Sequence, residues 1–299
     1  MKIIFTLTLF MLLVTTLFAN KVDQLQSDDD VNKFLKRQGT WIKDVYVSDL
    51  NSMYYDDDHK RVADSLGVKF WQKVDFDNNG LTDLLVYGEY KGTTRLFALI
   101  DEGKKMNASN LGRGFLDDIL FPVMTTINNQ AVLLLYKGPE FSRSLDEYKK
   151  LLKTDTLIYH FKGFIEPNFE PITYEIEKIE FSTTMCFGTC PVFELTINSD
   201  RTALYNAMQY NKIEGKHKGE IDKSSYEAIV TLLNYLDFPN LKDSYEVNWT
   251  DDQACKLVVT YNDGKVKTIS DYGEIGTYGL NMLYGQLFSL RGNQKWTHE

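Results

Sequence analysis

The sequence has few cysteines, no long apolar run after residue 20 and no excess of basic residues. None of its three cysteines lies near residue 20, which argues against a lipid anchor after a leader peptide. Beyond residue 20 no apolar run is long enough to cross a membrane, so no integral membrane segment is predicted there. Lys and Arg total 33 against 42 Asp and Glu, a net charge of −9, and such an acidic chain has no electrostatic reason to bind nucleic acid.

The motifs of several enzyme classes are also absent. The sequence has no Gly-x-Ser-x-Gly elbow, phosphate-binding loop, dinucleotide-binding glycine motif or His-Glu-x-x-His pair. Its four histidines show no clustered spacing that would suit a zinc site. These absences favour a non-catalytic protein, although they leave open the enzymes that need none of these motifs.

The first residues have the three parts of a secretory signal peptide. A basic residue, Lys2, precedes an apolar run over 3–18, and small Ala19 is followed by polar Asn20. We expect residues 1–19 to be removed, leaving an exported, soluble protein in the periplasm or outside the cell. An uncleaved anchor is the alternative, but the 16-residue run is slightly shorter than the roughly 17–25 residues that a membrane span needs.

The rest of the chain divides into two regions with different patterns, and Pro167 and Pro171 mark the boundary. The predicted parts are a flexible lead-in (20–30), a β-rich domain (31–170), an α+β domain (174–292) and a tail (293–299). The predicted fold class is therefore α+β: a β-rich N-terminal domain followed by an α+β domain of antiparallel sheet with two helices.

The two helices of the second domain are predicted over 224–236, where apolar residues recur at helical spacing, and over 278–290. Ser224 and the serine after it are predicted to cap the first of these helices. Near the start of the chain, a short helix is expected over 31–37, with Asp30 as its cap.

The segment Asp75-Phe76-Asp77-Asn78-Asn79-Gly80-Leu81-Thr82-Asp83 has oxygen-bearing groups at regular spacing. They are the side chains of Asp75, Asp77, Asn79 and Asp83, with the main-chain carbonyl of Leu81. Calcium takes about six to eight oxygen ligands, and the glycine permits the sharp turn that would gather them. The segment therefore predicts a structural calcium site. The alternative is an Asx-rich turn held by its own side-chain-to-backbone hydrogen bonds.

This segment is not an EF-hand, because its twelfth position is Val86 rather than glutamate and strands are predicted on both sides. It resembles the calcium loop of integrin-type FG-GAP and bacterial VCBS repeats, which carry Asp-x-Asp-x-Asn-Gly-x-x-Asp before an apolar strand. The resemblance implies the same five ligands. One such loop is recognisable, so the resemblance extends to the loop and not to a propeller.

A second unusual segment, Met185-Cys186-Phe187-Gly188-Thr189-Cys190-Pro191, places two cysteines four residues apart. In a turn that the glycine permits, their Cα atoms can approach the roughly 4.4–6.8 Å that a disulfide requires. Export to an oxidising compartment favours the bond, so a Cys186–Cys190 disulfide is predicted. A reactive or metal-binding thiol pair is the alternative. Cys255 is predicted as a buried small hydrophobic residue, and a bridge from it to one of the pair stays open.

The Cys-Phe-Gly-Thr-Cys-Pro run at 186–191, the apolar strand after it and Asp271-Tyr272-Gly273 resemble the bacterial domain-of-unknown-function family 6438. The resemblance spans about residues 176–292. It implies occurrence in secreted or envelope proteins of bacteria and no known activity.

Together these features predict an exported, non-catalytic envelope or secreted protein, a binding or interaction module with a structural calcium loop. Its partner in the envelope or outside the cell is unknown. One alternative is a thiol- or metal-dependent enzyme centred on Cys186 and Cys190. The other is a carbohydrate-binding protein that uses aromatic side chains such as Trp41, Trp71 and Trp249.

Overall fold

The computed structural model describes residues 20–47, 57–112, 119–138, 147 and 150–299. The signal peptide predicted over 1–19 lies outside the described residues. Contacts within the chain define two compact units, Met1–Tyr55 with Lys69–Gly112 and Asp56–Val68 with Arg113–Glu299. The predicted domain limits, including the boundary near residue 170, stay a prediction.

The first unit is a four-stranded antiparallel sheet with a short helix. Its elements are α1 (Asp28–Leu35), a 3₁₀ turn (Thr40–Asp44), β1 (Trp71–Val74), β2 (Asp83–Tyr90), β3 (Thr93–Asp101) and β4 (Met106–Asn110). The strands lie side by side in chain order. Apolar residues of α1 share a core with those of β2 and β3, so the sheet buries one face against the helix.

Residues 20–30 differ from the predicted flexible lead-in, because they pack into this core. Val22 is fully buried, and α1 begins inside the segment at Asp28. The prediction of Asp30 as the helix cap is wrong. Ser27 is the N-cap, and its hydroxyl accepts the Asp30 N–H while the Asp30 carboxylate accepts the Ser27 N–H, which is a capping box.

The second unit contains one helix and a small antiparallel sheet before its larger sheet. These elements are α2 (Asp57–Leu66), β5 (Leu120–Ile127), β6 (Gln130–Lys137), β7 (Lys153–His160) and β8 (Gly163–Ile165). The four strands again lie in chain order, since strands that follow one another in sequence are usually neighbours in a sheet. Phe121, Leu133 and Leu157 are among the residues buried in this sheet.

The larger sheet has eight strands in the order β13-β15-β14-β9-β10-β11-β12-β16. They are β9 (Ile176–Thr183), β10 (Val192–Asn198), β11 (Thr202–Gln209), β12 (Gly215–Glu220), β13 (Ser244–Glu246), β14 (Ala254–Tyr261), β15 (Lys265–Tyr272) and β16 (Trp296–His298). Every pair is antiparallel except β13 with β15. Residues 293–299, which were predicted as a tail, include β16 at one edge of this sheet.

Two helices pack against this sheet, α3 (Lys223–Tyr235) and α4 (Tyr278–Asn293). Their buried side chains and the inward residues of the strands form one core, in which Phe181, Phe193 and Tyr284 are prominent. This arrangement confirms the predicted fold class. Within the described part of the chain, no helix combines the length and the apolar character that a membrane crossing requires.

The cap of α3 differs from the prediction. Asp222 is the N-cap, and its carboxylate accepts the Ser225 N–H at 2.9 Å and the Ser224 hydroxyl at 2.5 Å. These hydrogen bonds lower the pKa of Asp222. The serine pair is thus the donor to the cap rather than the cap itself.

A buried carboxylate fixes the turn that leads from β15 into α4. Asp271 is fully buried at the end of β15, and it accepts the N–H groups of Ile275 at 2.8 Å and Gly276 at 2.9 Å. A Cβ on Gly276 would lie 2.5 Å from Asp271 Oδ2, so a glycine is needed there. Thr277 then caps α4.

Glu166 holds the first turn of α4 from a distant part of the sequence. Its carboxylate oxygens accept the N–H groups of Tyr278 at 2.8 Å and Gly279 at 3.0 Å. A negative charge at a helix N-terminus also interacts favourably with the helix dipole. This contact joins the segment after β8 to the larger sheet's helix within the second unit.

Candidate metal centre

The predicted calcium loop lies in the first unit, between β1 and β2. Its sharp turn uses two left-handed residues, Asn78 with φ 57° and Gly80 with φ 82°. Glycine and asparagine are the residues that adopt this conformation at least cost. The loop therefore folds back on itself and ends at Asp83, the first residue of β2.

Three carboxylates converge in this loop. One oxygen each from Asp75, Asp77 and Asp83 lies within 4.8 Å of the other two. Asp83 is fully buried, whereas Asp75 and Asp77 are partly exposed. Three like charges this close repel one another, and a cation between them would offset the repulsion.

Backbone hydrogen bonds orient these carboxylates. Asp83 accepts the N–H of Phe76 at 2.8 Å and the N–H of Asp101 at 2.7 Å. Asp75 accepts the N–H of Gly80 at 2.9 Å. The side chains are thus held in position by the chain itself, which matches part of the Asx-turn alternative.

Asn79 takes part through its amide. Its Nδ2 group donates to the Asp101 carbonyl at 2.7 Å and to Asp77 Oδ2 at 3.1 Å, while its Oδ1 accepts the N–H of Leu81 at 2.7 Å. Of the five predicted ligands, the structure therefore gathers three carboxylates and places Asn79 against them. Metal ligation by any of the five, including the Leu81 carbonyl, stays a prediction.

The environment of the loop disfavours the ionised carboxylates in the absence of a cation. Burial raises the pKa of Asp83 to about 7, and the charges of Asp77 and Asp75 add to the rise. Burial also raises the pKa of Asp77, again with a contribution from Asp75. Burial and like charge both act in the direction that a bound cation would reverse.

Residues far from the loop in sequence also support it, and no motif pointed to them. Asn20 Nδ2 donates to the Thr82 carbonyl at 2.6 Å, and the Thr82 hydroxyl donates to Asp23 at 2.6 Å. Asp101 joins the loop because Leu84 pairs with Leu99 in the β2–β3 hairpin. A correct register for that hairpin would have placed Asp101 beside Thr82, but Asn20 and Asp23 follow no local spacing rule.

The cysteine pair lies in the second unit, between β9 and β10. Cys186 and Cys190 are at disulfide-bonding distance, as predicted, with their Cα atoms 5.7 Å apart. Cys255 on β14 is free and fully buried, and burial raises the pKa of its thiol. A bonded pair and a buried thiol that resists ionisation offer no ready nucleophile, which weighs against the thiol-enzyme alternative.

The three tryptophans of the carbohydrate alternative have different surroundings. Trp41 packs edge-on against Phe97, with ring centroids 5.0 Å apart, and so belongs to a core. Trp71 lines an open cavity of about 560 Å³, where its indole N–H donates to Asp28 at 2.7 Å. Trp249 is 42% exposed. Only Trp71 and Trp249 are therefore placed to meet a ligand.

No match to this chain was found among curated proteins or among solved structures. A protein-family profile does match one part of the chain. That part begins within β9 and ends within α4, so the match covers most of the larger sheet and both of its helices. This finding confirms the family resemblance inferred from the sequence for this region. Residues 177–291 thus match the sequence profile of a domain of unknown function (DUF6438).

Proposed function

We propose that this is an exported, non-catalytic binding protein whose first unit is stabilised by calcium. The observation that carries the proposal is the convergence of the Asp75, Asp77 and Asp83 carboxylates within 4.8 Å of one another. The donor set is oxygen only, which suits a hard cation such as calcium rather than a transition metal.

The proposed role of calcium is structural. The loop connects β1 to β2, and Asp83 also accepts the Asp101 N–H at the end of β3. A cation held by the loop would therefore fix three strands of one sheet. Extracellular calcium modules have dissociation constants of about 10⁻⁴–10⁻³ M, so a loop without a twelfth-position glutamate could still be filled outside the cytoplasm.

Calcium titration by calorimetry of the protein lacking residues 1–19 is the direct test. We expect saturable heat for one site with a dissociation constant of about 10⁻⁴–10⁻³ M. Asp77→Ala removes one of the three converging carboxylates and is expected to weaken binding about tenfold or more. Glu102→Gln is the matched control, because Glu102 follows Asp101, which contacts the loop, while its own carboxylate pairs with Lys105. No heat with the unaltered protein, or equal binding by Asp77→Ala, would contradict the calcium site.

Export is supported by the N-terminal sequence and by the cysteine pair, since disulfides persist in oxidising compartments. One experiment tests both. Protein from its native cells is unfolded in urea with iodoacetamide and without reductant, and its intact mass is measured. We expect a mass that begins at Asn20 and carries a single added group, on Cys255. A mass that retains residues 1–19, or three added groups, would overturn the export proposal.

A further inference from the structure

The loop closed by the cysteine pair displays apolar side chains to solvent. Phe187 is 90% exposed and Met185 is 63% exposed, and Trp249 on the adjoining loop is 42% exposed. We call these three residues the cysteine-loop patch. Large apolar side chains displayed together on a surface mark interaction sites, and aromatic residues and methionine are enriched in the centres of protein interfaces.

The two loops that carry the patch are joined to each other and to the sheet. The Phe187 N–H donates to the Asp251 carbonyl at 2.8 Å. Gln253, which is buried, donates to the carbonyls of Thr184 at 2.8 Å and Pro191 at 2.9 Å. The Cys186–Cys190 disulfide joins the two sides of the loop that carries Phe187. A patch held in this way loses little conformational freedom on binding, which lowers the cost of association.

The charge around the patch restricts its partner. The segments 182–191 and 244–255 contain no lysine, arginine or histidine. They contain Glu246 and Asp251, which are exposed, and Asp252, which is half-buried and accepts the Trp249 indole N–H at 2.9 Å. All charged residues of these two segments are therefore acidic, and the nearest cation along β14 is Lys256, which follows the second segment and pairs with Ser182. The acidic residues of the two segments would repel an anionic lipid surface, and a second copy would place these carboxylates against their own counterparts.

We propose that the cysteine-loop patch docks an apolar segment of a partner protein that carries lysine or arginine beside its apolar residues. The partner's apolar side chains would cover Phe187 and Met185, and its cations would face Asp251 and Glu246. This proposal rests on the proposed role as a binding protein and names the surface that performs it.

The test uses synthetic peptides as probes, because the partner is unidentified. Peptides of alternating leucine and lysine, leucine and glutamate, and serine and lysine are titrated into the protein at constant salt, and binding is followed by fluorescence anisotropy. We expect the leucine–lysine peptide to bind at least about tenfold more tightly than the other two, since both apolar contact and positive charge are required. Phe187→Ser is expected to reduce that binding about tenfold.

Phe169→Ser is the matched control, because Phe169 is also exposed, at 54%, but lies outside the patch. Circular dichroism checks that both variants remain folded. Equal binding by Phe187→Ser and the unaltered protein would overturn the proposal, as would equal binding of the leucine–glutamate or serine–lysine peptide. Binding to anionic vesicles, or a dimer that Phe187→Ser abolishes, would assign the patch to a membrane or to a second copy instead. The calcium titration concerns residues of the other unit, so either proposal can fail without the other.

Discussion

Calcium is expected to raise the melting temperature of the metal-free protein by about 10 °C or more. At about 10 mM, calcium would exceed a dissociation constant of about 10⁻⁴ M by about 100-fold. Binding at that ratio stabilises the folded state by about 2.7 kcal/mol. A domain of about 60–100 residues shifts by about 4–8 °C for each kcal/mol, and the first unit is of that size. Differential scanning calorimetry in EGTA and in excess calcium measures the shift.

The same scans separate a specific site from a general salt effect. Asp77→Ala is expected to lose most of the calcium-dependent shift, whereas Glu102→Gln is expected to retain it. Sodium chloride at matched ionic strength should not reproduce the calcium-dependent rise in melting temperature in either variant. A melting temperature that calcium leaves unchanged would show that the loop is an Asx-rich turn and needs no cation.

Asp271→Ala is expected to lower the free energy of unfolding by about 3 kcal/mol. The substitution removes the acceptor for the N–H groups of Ile275 and Gly276, which lie 2.8 Å and 2.9 Å from the carboxylate. A buried donor left without a partner costs about 1–3 kcal/mol, and two donors lose their partner here. Urea unfolding, with the slope compared between variants, gives the value.

Two further variants make this measurement specific. Asp271→Asn keeps one oxygen acceptor in place and is expected to lose less stability than Asp271→Ala. Glu227→Ala removes an exposed charge on α3, paired there with Lys223, and is expected to change the free energy by less than about 0.5 kcal/mol. A loss for Asp271→Ala no larger than that of Glu227→Ala would mean that the carboxylate does not stabilise the turn into α4.

Much of the fold could be predicted because its patterns are local. The helical spacing of Ile229, Leu232 and Leu233 identifies α3, and the structure begins that helix within one residue of the prediction. The turn at Asn262-Asp263-Gly264 identifies the β14–β15 hairpin, and all three residues have positive φ. The caps were less predictable, since several adjacent polar residues can each accept the first free N–H groups and packing decides between them.

The candidate metal centre was predictable to the extent that it lies in one short segment. The alternating oxygen side chains around Gly80 identify both the position of the turn and the carboxylates that meet in it. Asn20 and Asp23 could not be chosen in this way, because their contacts depend on where the segment around residue 20 packs. Glu166 is a similar case, since it meets α4 from 112 residues away along the chain.

The order of neighbouring residues was enough to predict the α+β class, the loop with alternating oxygen side chains, the close cysteine pair and the match of residues 177–291 to a domain of unknown function. Three-dimensional packing, in contrast, places residues 20–30 in a core and the tail at a sheet edge, holds the start of α4 with Asp271 and Glu166, and leaves Phe187 exposed. These outcomes depend on which distant segments come to lie together, since burial and hydrogen bonding are properties of the packed chain.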